Sequence, residues 1–183
     1  MGALLLFLAV LGAPLLHAPV LRWDLLRGLK RPLDGGASIG GRRIFGDNKT
    51  WRGALCMTAG VVLATLVLWQ WRWWRDQLPQ AIDASEPLLV GLLVGLGTVG
   101  GELPNSFLKR RLDIAPGQRR RSAGGIALAV LDQGDLVIGI WVALLPIWTM
   151  PVWLAAVAFA AISAIHAAIN VVGYAIGARA APV

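Results

Sequence analysis

The sequence predicts an all-α integral membrane protein, in which about five transmembrane helices are joined by two functional loops on the cytoplasmic side. Of the 183 residues, 57% are hydrophobic and only 15% are charged. The apolar residues are gathered into runs of roughly 20, the length that a helix needs to cross a bilayer. The nine tryptophans add rings of the kind enriched at membrane interfaces. The chain length suits one domain, which we expect to cover residues 1–183.

The apolar runs give approximate bounds for the five helices. We expect helices over residues 2–21, 54–74, 87–103, 131–148 and 152–176. The fourth run is long enough to cross only if its helix begins near Leu131. The first run could instead be a signal peptide, but such a peptide carries basic residues before its apolar core, whereas the first basic residue here is Arg22. We therefore interpret the first run as a helix.

The positions of lysine and arginine predict the orientation. These residues are concentrated after the first and third runs, whereas the connections after the second and fourth runs carry few or none. Because basic loops stay in the cytoplasm, we expect loops 22–53 and 104–132 to be cytoplasmic, the N-terminus outside and the C-terminus inside. The protein would then be a multi-pass protein of the inner (cytoplasmic) membrane whose active site faces the cytoplasm. These loops explain the net charge of +7, so we expect no nucleic-acid partner.

The first basic loop contains the string RRIFGDNKTWRG, residues 42–53. It lacks the Walker pattern, but it has a flexible glycine, a Lys-Thr pair and an arginine just before a helix, as phosphate-binding loops do. The alternative is a polybasic loop at the membrane surface, with Trp51 as an interfacial anchor. The string alone leaves both interpretations open.

Three acidic residues flank the second basic loop. Glu102 lies at the cytoplasmic end of the third run, where a carboxylate must be paired, hydrated or bound to a cation. Lys109 and Arg110 are candidates for pairing. Asp132 and Asp135 are three residues apart and share a helix face, where they repel each other unless cations compensate. Binding of Mg²⁺ and capping of a helix N-terminus explain the two aspartates equally well.

Two further patterns lie inside the apolar runs. In the last run, His166, Asn170 and Tyr174 recur every four residues and form a polar stripe, which could line a site or make interhelical hydrogen bonds. The string GLGTVG at 95–100 formally matches a dinucleotide-binding motif. Inside a membrane helix, however, we interpret its glycines as small residues that let helices pack closely. Cys56 is the single cysteine, so an internal disulfide is excluded.

Taken together, these strings resemble a known family. SFLKRRL at 106–112, followed by LDQGD at 131–135, is similar to the S-x-x-K-R and D-x-x-D signature of CTP-dependent phosphatidate cytidylyltransferases. The match is closer to the short five-helix branch of that superfamily, the CDP-archaeol synthases. The strings DGG, RRIFGDNKTWRG, GGELPNSFLKRRLDIAPG, LDQGD and H-xxx-N-xxx-Y occur in that family's order. The chain departs from the family pattern in the basic segment 118–130 and at Gly134.

The resemblance implies a membrane enzyme that transfers CMP from CTP to a lipid phosphate, giving a CDP-lipid and pyrophosphate in phospholipid biosynthesis. It implies Mg²⁺ as the cofactor, with CTP, a lipid phosphate and membrane lipids as partners. The implied metal ligands are Glu102, Asp132 and Asp135. The implied catalytic residues are Lys109, Arg110, Asp132 and Asp135, the first two neutralising the reacting phosphates. The implied CTP-binding residues are Asp47, Asn48, Lys49, Thr50, Arg52, Ser106 and Asn170.

Two other functions stay open from the sequence. A CTP-dependent lipid alcohol kinase would release CDP rather than pyrophosphate. A non-catalytic protein that binds anionic lipids would explain the basic loops, although not the acidic residues on the same side of the membrane. The sequence favours neither an ether-linked nor an ester-linked lipid, and neither a monomer nor a homo-oligomer.

Overall fold

The computed structural model describes residues 2–114 and 123–175, and in these residues nearly all regular structure is helical. A 3-10 helix over Gly2–Leu11 continues directly into α1. The α-helices are α1 (Gly12–Arg22), α2 (Trp51–Leu68), α3 (Arg72–Arg75), α4 (Gln80–Asp83), α5 (Pro87–Arg111), α6 (Ala123–Leu144) and α7 (Val152–Ala175). A short 3-10 turn, Arg27–Leu29, and a hairpin of β1 (Ser38–Ile39) and β2 (Arg42–Arg43) lie between α1 and α2.

The predicted membrane character is confirmed at the level of helix length and apolarity. Among the described residues, three helical segments are long and apolar enough to cross a membrane, namely Gly2–Arg22, Trp51–Leu68 and Pro87–Arg111. The fourth and fifth predicted spans correspond to shorter apolar stretches, Gly134–Leu144 and Val152–Ile165. Five spans and their orientation therefore stay predictions.

Several predicted helix bounds differ from the structure. Helix α2 begins at Trp51 rather than near residue 54, because Thr50 caps it by accepting a hydrogen bond from the Gly53 amide at 3.2 Å. Helix α5 continues through Pro104 to Arg111, although proline removes one backbone donor. Helix α6 begins at Ala123, so residues 104–111 and 123–132 of the predicted loop 104–132 are helical.

Glycines bring the backbones of neighbouring helices into contact. A Cβ atom at Gly95 would lie 3.0 Å from the Thr58 backbone on α2, and one at Gly97 would lie 2.6 Å from the Ile140 Cα atom on α6. The packing interpretation of GLGTVG is confirmed for these two glycines. Gly100 differs, because a Cβ atom there would meet no heavy atom of the described residues within 4 Å. Helix α5 thus lies between α2 and α6 and packs extensively on both.

The hairpin is fixed to the C-terminal end of α5. Gly40 and Gly41 both have positive φ angles, as a two-residue turn of this kind requires. The Arg111 guanidinium donates to the backbone carbonyls of Ile39 at 2.5 Å and Arg43 at 2.7 Å. The first basic loop is therefore held against the helix that carries the predicted catalytic lysine.

Candidate functional site

Asp34 organises the first basic loop. Its carboxylate is almost fully buried and accepts hydrogen bonds from the backbone amides of Phe45 at 2.9 Å, Gly36 at 3.0 Å and Gly46 at 3.3 Å. The Arg43 guanidinium donates a further hydrogen bond at 2.7 Å. Burial acts to raise the pKa of Asp34, but these donors outweigh it and lower the pKa to about 2. An ionised carboxylate therefore holds the backbone of residues 34–46 in one conformation.

Lys49 connects this loop to α5. Its backbone exchanges hydrogen bonds with the rest of the loop, accepting from the Leu33 amide at 2.7 Å and donating to the Gly46 carbonyl at 3.3 Å. Its ammonium group forms an ion pair with the carboxylate of Glu102, and both side chains are only partly exposed. The predicted phosphate-binding lysine therefore lies beside one of the predicted metal ligands.

A second acidic group forms where α5 meets α6. The side-chain amide of Asn105 donates to Asp132 Oδ1 at 2.9 Å and to Asp135 Oδ2 at 3.2 Å. Asp135 is buried, whereas Asp132 is exposed and forms an ion pair with Lys109. The two aspartates therefore share one helix face, as their spacing predicts. One turn earlier on α5, Gly101 packs so closely on α6 that a Cβ atom there would touch the Asp135 backbone. Glu102 is the next residue along α5 and therefore lies beside this helix contact.

The three acids do not converge as one ligand set in this arrangement. Within residues 2–114 and 123–175, no group of three His, Cys, Asp or Glu side chains is placed to hold a metal ion. Glu102 is paired with Lys49, while the two aspartates share Asn105. The Oδ1 atom of Asn105 is a buried acceptor without a hydrogen-bond partner among the described residues. A buried acceptor beside two carboxylates suits a cation or another donor.

Two residues that were predicted to bind the nucleotide have structural partners instead. Arg52 is buried and donates to Asp24 Oδ1 at 2.7 Å and to the Leu25 carbonyl at 3.1 Å. The hydrogen bond from Arg52 lowers the pKa of Asp24. Arg52 therefore joins the start of α2 to the end of α1, and Thr50 is the N-cap of α2. Both side chains are engaged in these contacts as they are placed, and their predicted role in CTP binding stays a prediction.

The remaining residues predicted to bind CTP are divided between the surface and the interior. Asp47 is exposed and forms an ion pair with Arg43, and Asn48 is exposed next to it. Ser106 is buried on α5. The backbone of Asn170 lies in α7, but its side chain, like those of His166 and Tyr174, lies outside the part of the chain that the structure describes.

Arg110, a predicted catalytic residue, contacts the backbone of the first loop. Its guanidinium donates to the Phe45 carbonyl at 3.3 Å and to the Ile114 carbonyl. It therefore fixes the first loop to the end of α5 and is not placed with the aspartates. Sequence reasoning assigned no role to Asn105, although its position four residues before Lys109 places both on one helix face.

Known proteins resemble this chain over most of its length. A family model described as CarS-like CDP-archaeol synthase matches residues 14–182. A CDP-archaeol synthase of Halobacterium salinarum is 38% identical over 167 residues, which cover 86% of each chain. One of Methanoregula boonei is 33% identical over 151 residues, covering 78% of this chain and 82% of the relative. A solved structure of an intramembrane enzyme for archaeal membrane lipid biosynthesis superposes with a TM-score of 0.66 at 27% identity, covering 92% of each chain.

Proposed function

The chain belongs to the CDP-archaeol synthase family, and on that basis we propose that it transfers CMP from CTP to a lipid phosphate in the membrane and releases pyrophosphate. The observation that carries this proposal is the meeting of both basic loops at one end of α5. Lys49 of the first loop is paired with Glu102, and Lys109 is paired with Asp132 beside Asp135. Cationic and acidic groups for two phosphate-bearing substrates are thus gathered at one place.

The chemistry of this reaction matches the groups at the site. The nucleophile is a phosphate oxygen of the lipid and is already an anion, so the reaction requires no strong general base. It requires two anions that repel each other to be held in line while their charge is neutralised. Lys49 and Lys109 are paired with the acids. We assign Lys49 to the phosphates of CTP and Lys109 to the reacting phosphates. Each would exchange its carboxylate partner for phosphate oxygens when substrate binds.

The donor set fits Mg²⁺ held by Asp132 and Asp135. Mg²⁺ is usually bound by one or two protein carboxylates, with water and substrate phosphates as its other ligands. When bound, the ion would supply charge neutralisation at the phosphates. The buried Asn105 Oδ1 atom faces no donor among the described residues, which supports a cation at this point. Glu102 would become a third ligand only if its ion pair with Lys49 were broken.

We assign the rest of the first loop to positioning the nucleotide. Asp34, Arg43 and Arg110 fix its backbone, while Asn48 and Asp47 are exposed near Lys49 and are the side chains available for CTP. Ser106 and Asn170 keep their proposed roles in binding CTP.

Because both loops are basic, we place this site on the cytoplasmic side of the inner membrane, with five spans and the N-terminus outside.

A comparison of acceptors separates this function from that of a lipid alcohol kinase. Purified protein in detergent is incubated with CTP and Mg²⁺, together with either a lipid phosphate or the corresponding lipid alcohol. We expect CTP to be consumed only with the lipid phosphate, since the phosphate oxygen is the nucleophile. Consumption of CTP with the alcohol, and formation of CDP, would favour the kinase. Binding of CTP without turnover on any acceptor would contradict both enzymes.

A further inference from the structure

An apolar groove runs along the outer surface of α5 and α6. Its volume is about 440 Å³, within the range of small-molecule sites in proteins. Leu96 on α5 and Ile138 and Val142 on α6 line it and are more than a third exposed. In a membrane protein such exposed side chains face lipid, so the groove is open to the bilayer along its side.

The floor of the groove is open because residue 100 is a glycine. Gly97 and Gly101, which also line the groove, bring α5 into backbone contact with α6. Within the described part of the chain Gly100 makes no such contact, and a Cβ atom there would meet none of its atoms within 4 Å. A glycine inside a helix is destabilising relative to alanine. The described helix contacts therefore do not require glycine at position 100. Because Gly100 has no side chain, the groove is deeper at this position.

One end of the groove is polar and coincides with the candidate site. Asn105 and Asp135 line the groove towards this end, with Leu108 and Leu131 about one turn beyond them. Asn105 is 5% exposed, and its Oδ1 atom has no partner among the described residues. From Asp135 to Val142 the groove follows seven residues of α6, a distance of about 10 Å.

A molecule with an apolar chain and a phosphate head would fit with its chain along the groove and its head beside this end. Lys109, which is paired with Asp132, and the Mg²⁺ assigned to the two aspartates would there offset the repulsion between phosphate and carboxylates.

We propose that this groove holds one hydrocarbon chain of the lipid phosphate substrate, and that Gly100 determines how bulky that chain can be near the head group. The proposal rests on the function proposed above. The groove lies between two adjacent helices and is a single channel, so it takes one chain, and any second chain lies in the bilayer. Bulk at position 100 would fill the groove directly below the polar end, without moving α6.

Substitution at Gly100 tests this assignment. Gly100→Phe should raise the KM for the lipid phosphate by roughly tenfold, which corresponds to losing the burial of about two methylene groups. The KM for CTP should stay unchanged. Gly100→Ala should have a small effect with an unbranched chain and a larger one with a methyl-branched chain. Ala59→Phe, at an exposed position of α2, is the matched control and should change neither constant.

A binding measurement separates failure of this proposal from failure of the proposed function. A photoreactive alkyl phosphate should label α5 and α6 along the groove in the wild-type protein, and Gly100→Phe should abolish that labelling. If this holds while no lipid phosphate is turned over, the groove assignment stands and the proposed function fails. An unchanged lipid KM in Gly100→Phe, or labelling elsewhere, overturns the groove assignment. A shift from dimer to monomer in Gly100→Phe also overturns it, since a second copy would then fill the groove. Gly100→Val provides the same comparisons if the Phe variant does not fold.

Discussion

The ammonium group of Lys49 forms an ion pair with the carboxylate of Glu102, which lies 53 residues further along the chain. This contact joins the loop before α2 to the C-terminal half of α5. Glu102 follows Gly101, whose Cβ atom would touch the Asp135 backbone on α6. Both side chains are partly buried, so the pair is less screened than one on the surface. The arrangement places a cation at the candidate site with a carboxylate as its partner, and we propose that phosphate replaces this carboxylate when substrate binds.

Removal of the Lys49 cation should weaken CTP binding. We expect Lys49→Ala to raise the KM for CTP by roughly ten- to a hundredfold, the range for losing a charge-assisted hydrogen bond. The KM for the lipid phosphate should change little. Steady-state kinetics with each substrate varied in turn measures both constants. Lys30→Ala, at an exposed position of the same loop, is the control. A normal KM for CTP in Lys49→Ala would return this loop to the polybasic interpretation.

Asp135 should be required for turnover but not for folding. Asp135→Asn keeps the shape of the side chain and can still accept a hydrogen bond from Asn105, but it removes the charge that would hold Mg²⁺. We expect the rate to fall by a factor of about a hundred or more, with little change in the thermal unfolding temperature. Asp113→Asn, which affects an exposed ion pair with Arg42, should leave the rate unchanged. Full activity of Asp135→Asn would exclude the proposed metal role.

Asn105 should act through the two aspartates. In Asn105→Leu, Asp132 and Asp135 lose their shared donor, so their mutual repulsion increases and they are no longer held in one orientation. We expect the Mg²⁺ concentration for half-maximal rate to rise several-fold, a change that a purely structural defect would not produce. Titration of the rate with Mg²⁺ measures this concentration. An unchanged Mg²⁺ dependence would show that Asn105 does not position the ligands.

The first loop should lose its order in acid through Asp34. The folded-state pKa of about 2 lies below the ordinary value of 3.8, so ionised Asp34 contributes stability that is fully present above about pH 4. That contribution decreases as the pH falls from about 4 towards 2. Asp34→Asn should lower the unfolding temperature at neutral pH and make it less dependent on pH in this window. Thermal unfolding of both proteins between pH 2 and pH 7 tests this, and identical pH profiles would contradict it.

The elements that follow from hydrophobic patterning could be predicted from the sequence. Runs of apolar residues gave the main helices, and the spacing of Asp132 and Asp135 placed them on one face. The close contacts of Gly95 and Gly97 follow from the same principle of small residues between helices. Gly100 belongs to the same string, but a Cβ atom there would contact none of the described residues. The sequence pattern alone does not show which glycine faces a neighbouring helix, so this difference could not be predicted.

The partners of the charged residues could not be predicted, because they depend on contacts between distant segments. The sequence predicts Arg52 as a phosphate ligand but does not show that Asp24, 28 residues earlier, accepts its hydrogen bond. Asp34 is part of the DGG string of the resemblance, but the sequence does not show which groups donate hydrogen bonds to it. Its four donors come together only in the folded loop. Gly134, a departure from the family pattern, lies so close to the Phe159 ring of α7 that a Cβ atom there would come within 2.6 Å of the ring. The ring therefore occupies the space that a larger side chain at position 134 would need.

The central claim is that this site transfers CMP to a lipid phosphate, and the products of a single incubation test it most directly. Wild-type protein is supplied with CTP, Mg²⁺ and a lipid phosphate, and lipid products are identified by mass spectrometry while pyrophosphate is measured in the same sample. We expect CDP-lipid and pyrophosphate in equal amounts, and neither from Asp135→Asn. Release of CDP or of free phosphate without a CDP-lipid would contradict the proposed function.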